Sequence, residues 1–134
     1  MRITNEADYA LRFILVLSDG SQKSAKIISE ETGVTLRFAL KILRKLSLAE
    51  IVGSQQGATG GYFLKRSASA VSLGEIIEII DGPIQINDCI DDEYICSRMG
   101  TDTEDCRIHQ FFVKLNEDIR QRLYTATLDQ FFHA

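Results

Sequence analysis

Three cysteines and a histidine fall in one short acidic stretch, INDCIDDEYICSRMGTDTEDCRIHQ, spaced Cys89-x6-Cys96-x9-Cys106-x2-His109. Thiolates are soft metal ligands and strong nucleophiles, so zinc, an iron–sulfur cluster and Cys–His catalysis are the chemistries to weigh. Structural zinc sites use paired Cys-x2–4-Cys knuckles, and this chain has none. Thiolates set further apart suit a larger object, an iron–sulfur cluster, with one position left to another ligand. Cys106 is expected to open a helix, where the dipole favours thiolate, with His109 following on the same face. A catalytic thiol needs a fixed base and a preorganised oxyanion site. A polar loop supplies neither, so the chain reads as a non-enzyme. The plain alternative is three unrelated free thiols.

The stretch itself is too poor in apolar residues to offset the entropy of ordering, so ligation is expected to order it. Its neighbours must therefore position it. On its C-terminal side a helix is expected from about Cys106 to Ala126, with Ile108, Phe111, Phe112, Leu115, Ile119 and Leu123 as an apolar stripe. Twenty residues of helix span about 30 Å. That is long for so small a domain, so part of the stripe is expected to meet a second subunit. On the N-terminal side, Ser72-x-x-Glu75 is a capping box opening SLGEIIEIID, and Gly82-Pro83 is a stop.

The front half carries a different pattern. A helix is expected over Asn5–Asp19, capped by Thr4 or Asn5 and apolar nearly all round, hence central to the core. Ser24 caps a shorter helix that Gly33 ends, and Thr35 caps a third, LRFALKILRKLSLAE. Two helices joined by so short a glycine-containing turn form a helix-turn-helix. On the third helix Arg37, Lys41, Arg44 and Lys45 share an arc of about 100°, opposite Phe38, Ala39, Ile42, Leu43 and Leu46. A basic stripe with no acidic interruption suits a recognition helix meeting phosphates and base edges. IVGSQQGATGGYFLKR then reads as a β-hairpin wing whose glycine-rich tip approaches the sugar–phosphate backbone. The GATGG run lacks the Lys-Ser/Thr ending and following helix of a nucleotide-binding loop.

Composition agrees with this division. Residues 1–66 carry ten Lys/Arg against six Asp/Glu, and residues 67–134 carry five against thirteen. Only the front half is expected to meet a polyanion. No apolar run is long enough for a membrane span, and the N-terminus is charged where a secretory signal is apolar. A cytoplasmic protein is expected, where thiols stay reduced.

The chain resembles, from end to end, the IscR, NsrR and RirA type of winged helix-turn-helix iron–sulfur transcriptional regulators. The matching residues are MRIT…DYALR, RFALKILRKL, GATGGYFLKR, SLGEIIEIIDGPI and the three cysteines before a long helix. The resemblance implies a mainly α fold with a small β-hairpin wing. Residues 1–82 would form the winged helix-turn-helix DNA-binding domain, 83–105 a cysteine-bearing cluster loop, and 106–134 a dimerisation helix and tail. It further implies a homodimer on near-palindromic promoter DNA, usually a repressor, controlled by a cluster that senses iron, redox or nitric oxide status. Cys89, Cys96 and Cys106 resemble the cluster ligands. The fourth is His109, as in the [2Fe–2S] members, or Asp8 of the partner subunit, as in [4Fe–4S] members; His109 and [2Fe–2S] are preferred. Thr35, Arg37, Phe38, Lys41, Arg44 and Lys45, with Ser54, Gln56, Gly57, Thr59 and Gly60 of the wing, are the expected DNA contacts. Two departures bear on the operator. Gln56 stands where many members have arginine, and the reader helix carries Phe38, Leu40 and Lys41 where they often have Tyr and an acidic or amide residue. The alternatives are a cluster-free regulator acting by thiol oxidation or a protein partner, and a zinc-bound form.

Overall fold

The computed structural model describes residues 2–100 and 102–132. Positions 1 and 134, the outer limits of the first and last expected segments, lie outside the described residues, as does position 101 within the cysteine segment.

Four helices open on a hydroxyl that accepts from a backbone N–H one turn in. Thr4 caps α1 (Asn5–Val16), Ser24 caps α2 (Ala25–Thr32), Thr35 caps α3 (Leu36–Leu48) and Ser72 caps α4 (Leu73–Asp81). Helix α1 stops at Val16 rather than Asp19, because Ser18 and Gly20 bond back only three residues, to Leu15 and Leu17. The capping box of α4 is half made. Ser72 Oγ receives the Glu75 N–H at 3.1 Å, but the Glu75 carboxylate is taken by Arg66. Helix α5 (Arg107–Thr125) starts with Cys106 as its N-cap, within one residue of the expected limits.

The core is built by α1, α3 and α4. Phe13 and Ile14, Ile42, Leu43 and Leu46, and Ile76 are fully buried, and Ile28 of α2 closes one side. Helix α1 is central, as expected, although Leu15 remains exposed. Strands β1 (Val52–Gln55) and β2 (Gly61–Leu64) pair antiparallel, from Val52 opposite Leu64 to Gln55 opposite Gly61. This hairpin is anchored to the segment before α2. Lys23 N–H donates to Tyr62 O at 3.0 Å, and Tyr62 N–H to Lys23 O at 2.8 Å. Gly61 is required there: its φ is +148°, and a Cβ would lie 2.6 Å from the Lys23 backbone. Beyond α5 the chain turns back. Leu73 N–H donates to Ala126 O, and Leu128 N–H to Val71 O, both at 2.9 Å, which carries Leu128 into the core at 1 % exposure.

Helix α5 lies on α4 at Gly74, where the Tyr124 ring occupies the space a Cβ would need, 2.4 Å away. The fold is therefore mainly helical with a two-stranded wing, and α4 joins the head to α5.

Candidate nucleic-acid interface and metal centre

The Thr35 cap and the buried Ala39, Ile42, Leu43 and Leu46 fix the rotation of α3, so its other face is turned to solvent. Arg37, Lys41 and Arg44 are exposed there. Arg37 and Arg44 carry no ion pair among the described residues. Lys45 differs from them. Its Nζ lies 2.8 Å from Glu6 of α1, in a pair that is only partly exposed. The same carboxylate stands 3.9 Å from Lys41, whose ammonium also sits 5.6 Å above the Phe38 ring. Phe38 packs edge-on against Tyr9 of α1 at 5.8 Å and, with Thr35, Arg37 and Lys41, lines a shallow cleft on this face. It thus serves both the core and the outer surface. Glu6 was missed from sequence, where it reads as an ordinary first-turn acid.

The wing follows α3 directly, with β1 packed against that helix. Ser54, Gln56, Gly57 and Thr59 are exposed, and Gly60 is half-buried with its N–H on Gly57 O at 3.1 Å. The Gln22 side-chain amide donates to that of Gln55 at 2.8 Å, a second anchor for the hairpin. The two cations ending the wing are paired: Lys65 lies 3.3 Å from Glu50 at the surface, and the half-buried Arg66 holds Glu75 and the Ala70 carbonyl.

The cysteine segment is held at its root. Asn116, buried on α5, accepts the Ile86 N–H and donates to Ile84 O, both at 2.9 Å. Glu78 of α4 accepts the Ile84 N–H at 2.9 Å, Arg120 at 3.0 Å and the Tyr124 hydroxyl. Burial pushes the Glu78 carboxyl up, but the hydrogen bonds from Tyr124, Ile84 and Arg120 outweigh it and hold the group below its ordinary value. Burial, then the Glu78 hydrogen bond, raises Tyr124. Sequence reasoning passed over Asn116. The available signal was an amide at helical spacing between Phe112 and Ile119, within the apolar stripe.

Further on, the segment makes a short 3₁₀ turn at Asp88–Ile90 and a two-bond bridge between Cys96 and Gly100. Its four candidate ligands fall into two pairs. Cys89 and His109 line one cleft, floored by Val113 and Asn116 of α5. Among the described residues His109 Nδ1 is buried without a hydrogen-bond partner, whereas Cys89 Sγ accepts from Asn87 at 3.3 Å. Cys96 and Cys106 instead share Arg98. Backbone N–H groups of Met99 and Arg98 hold the Cys96 thiol below its ordinary value, and the Arg98 charge adds to them. The same guanidinium reaches Cys106 Sγ at 3.6 Å. No three candidate ligands are gathered into one metal-sized group among the described residues. Asp8 forms an i,i+4 ion pair with Arg12 at 2.8 Å. The donor set fits an iron–sulfur cluster: three soft thiols and a buried imidazole nitrogen that has no hydrogen-bond partner among the described residues.

Helix α5 also leaves Ile108 and Phe111 about two-thirds exposed, and no helix among the described residues is long and apolar enough to cross a membrane.

Comparison with known proteins identifies relatives of the same organisation. The family model Rrf2, an iron-dependent transcriptional regulator, matches residues 3–134. The putative HTH-type transcriptional regulator ORF2 of Azotobacter vinelandii is 30 % identical over 131 residues, covering 96 % of this chain and 77 % of that protein. The HTH-type transcriptional regulator IscR of Pectobacterium carotovorum is 29 % identical over 134 residues, covering 97 % and 78 %. Among solved structures, CymR (YrzC), the global cysteine regulator of B. subtilis, superposes with a TM-score of 0.80 at 21 % identity, covering 98 % of this chain and 95 % of that one. T. potens IscR gives 0.73 at 20 % identity, covering 98 % and 85 %. At these identities the structural likeness establishes the fold.

Proposed function

The chain belongs to the Rrf2 family of transcriptional regulators, and on that premise we propose that it is a homodimeric, iron–sulfur-controlled repressor of promoter DNA. The observation that carries the DNA reading is the exposed basic face of α3, on which Arg37 and Arg44 carry no ion pair among the described residues, followed by an anchored wing. Arg37, Lys41 and Arg44 meet phosphates and base edges in the major groove, and Ser54, Gln56, Gly57, Thr59 and Gly60 flank them on the backbone. Thr35 fixes the start of the reader helix, and Phe38 fixes its lean on α1. Lys45 acts through Glu6, holding α3 to α1, more than through DNA. The exposed Ile108 and Phe111 of α5 supply the apolar surface that a second copy covers.

Cys89, Cys96, Cys106 and His109 are the residues that would hold the cluster. The unpartnered His109 Nδ1 supports His109 as fourth ligand, and the Arg12 ion pair of Asp8 supports the same choice, hence [2Fe–2S] over [4Fe–4S]. When bound, such a cluster supplies iron that is lost, oxidised or nitrosylated as iron, redox or nitric oxide status changes. To bind all four ligands, the Cys89–His109 pair and the Cys96–Cys106 pair must be drawn together, so metal binding is coupled to folding of the segment. Asn116 and Glu78 connect the root of that segment to α5 and α4, and α4 packs on α1 and α3.

The test is an anaerobic preparation assayed for iron, acid-labile sulfide and duplex binding. We expect a brown protein with equimolar iron and sulfide, bleached by Cys96→Ala, whose DNA affinity changes on cluster removal. Stoichiometric zinc in a colourless protein would overturn the cluster. A second reading follows from the three thiols being free and partly accessible: a cluster-free regulator acting by thiol oxidation. A metal-free protein whose affinity shifts reversibly with peroxide and dithiothreitol selects that reading.

A further inference from the structure

We propose that Leu40 is a specificity-determining residue that reads the C5-methyl group of a thymine in the major groove. The proposal rests on the DNA-binding reading above. Leu40 is 45 % exposed and belongs neither to the core cluster nor to the hydrophobics packed against it. Its helix already buries Ala39, Ile42, Leu43 and Leu46, so Leu40 is not left over from an incomplete core.

Position on the helix gives the exposure its meaning. At 100° per residue, Leu40, Arg44, Arg37 and Lys41 occupy one arc of about 100°. An isolated exposed leucine needs no explanation, but this one borders the cationic face next to Arg44, which like Arg37 carries no ion pair among the described residues. Whatever polyanion those cations engage is brought against Leu40 as well. Base edges in the major groove offer donors, acceptors and a single apolar group, the thymine methyl. A leucine side chain can satisfy only the methyl, and opposite any other base it covers a polar edge without bonding it, which is penalised. Leu36, one turn back and 44 % exposed, lies about 100° from Arg37 at the edge of this face and widens the apolar strip.

The experiment selects duplexes from a random library with the anaerobically purified full chain. Each thymine of the preferred site is then replaced singly by deoxyuridine, which removes the methyl and leaves base pairing intact. In the wild type, one thymine position should lose about fourfold in affinity, the worth of one methyl-sized group. In Leu40→Ala that position should become indifferent to the replacement, with melting temperature and salt dependence unchanged. Leu40→Gln should shift the selected base there toward adenine. Equal deoxyuridine penalties in wild type and Leu40→Ala, or no penalty at any position, overturn the assignment while leaving DNA binding intact. A protein that enriches no duplex overturns the DNA reading and this proposal together.

Discussion

The reader head and the cysteine segment are organised in opposite ways. In the head, hydroxyl caps, a buried apolar face and a pinned hairpin fix α3 before anything binds, so its cations are presented on a rigid surface. In the segment, Asn116 and Glu78 hold residues 84–86 and the turn at Asp88–Ile90 rests on α5, but no described residue beyond the root joins the hydrophobic core, and the candidate ligands stand in two pairs. The first region spends core burial on position, whereas the second leaves its final arrangement to a ligand. A sensor needs both, since a signal can only move what is not already fixed.

The sharpest break of this comparison is in stability. Leu43 is fully buried in the head. Leu43→Ala should cost about 3 kcal/mol and lower Tm by more than 10 °C. Cys96→Ala in metal-free protein should stay within about 0.5 kcal/mol, because that side chain is partly exposed on a local turn. Denaturant unfolding of both variants checks the contrast. A large loss from Cys96→Ala would mean that the segment is part of the fold's foundation even without metal.

A smaller effect tests the joint between the two regions. A carboxylate held low contributes stability that is complete above the ordinary glutamate range and is lost as pH falls through its lowered value. Glu78→Gln should therefore cost about 1–2 kcal/mol at pH 7, the worth of charged hydrogen bonds to Tyr124, Ile84 and Arg120. The difference from wild type should shrink steadily as pH is lowered toward 3. Urea unfolding at a series of pH values gives the profile, and faster amide exchange at Ile84 would locate the loss at the segment's root.

Most of the head was legible because its rules are local. Ser24, Thr35 and Ser72 announce helices to residues within one turn, and the glycines of the wing announce a hairpin. What escaped reading joins residues far apart in sequence. Glu6 reaches Lys45, Asn116 reaches Ile84 and Ile86, and Leu128 returns to the core beside Val71. No periodicity encodes such contacts, because each depends on how finished elements pack. The capping box shows the same competition in miniature: Ser72 behaves as the local motif demands, while Glu75 is claimed by Arg66. The cysteine spacing named the donors, but how they pair is decided by the cleft on α5 and by Arg98.

The smallest predicted effect separates cations that sequence alone treats as equivalent. On a helical wheel Lys41, Arg44 and Lys45 belong to one stripe, yet Lys45 is committed to Glu6 at 2.8 Å and only 36 % exposed, while Arg44 carries no ion pair among the described residues. A phosphate contact releases counterions, so removing one should weaken DNA binding across sequences and reduce the salt slope by about one. Arg44→Ala and Lys41→Ala should do so, Arg44→Ala the more, because Lys41 is partly drawn to Glu6 at 3.9 Å. Lys45→Ala should leave the slope unchanged and cost less than about 1 kcal/mol of stability, the range for a partly exposed ion pair. Titrations of the three variants from 50 to 200 mM salt decide it. A reduced slope for Lys45→Ala would show that its pairing with Glu6 opens on DNA, making the α1–α3 contact part of the binding event rather than its fixed support.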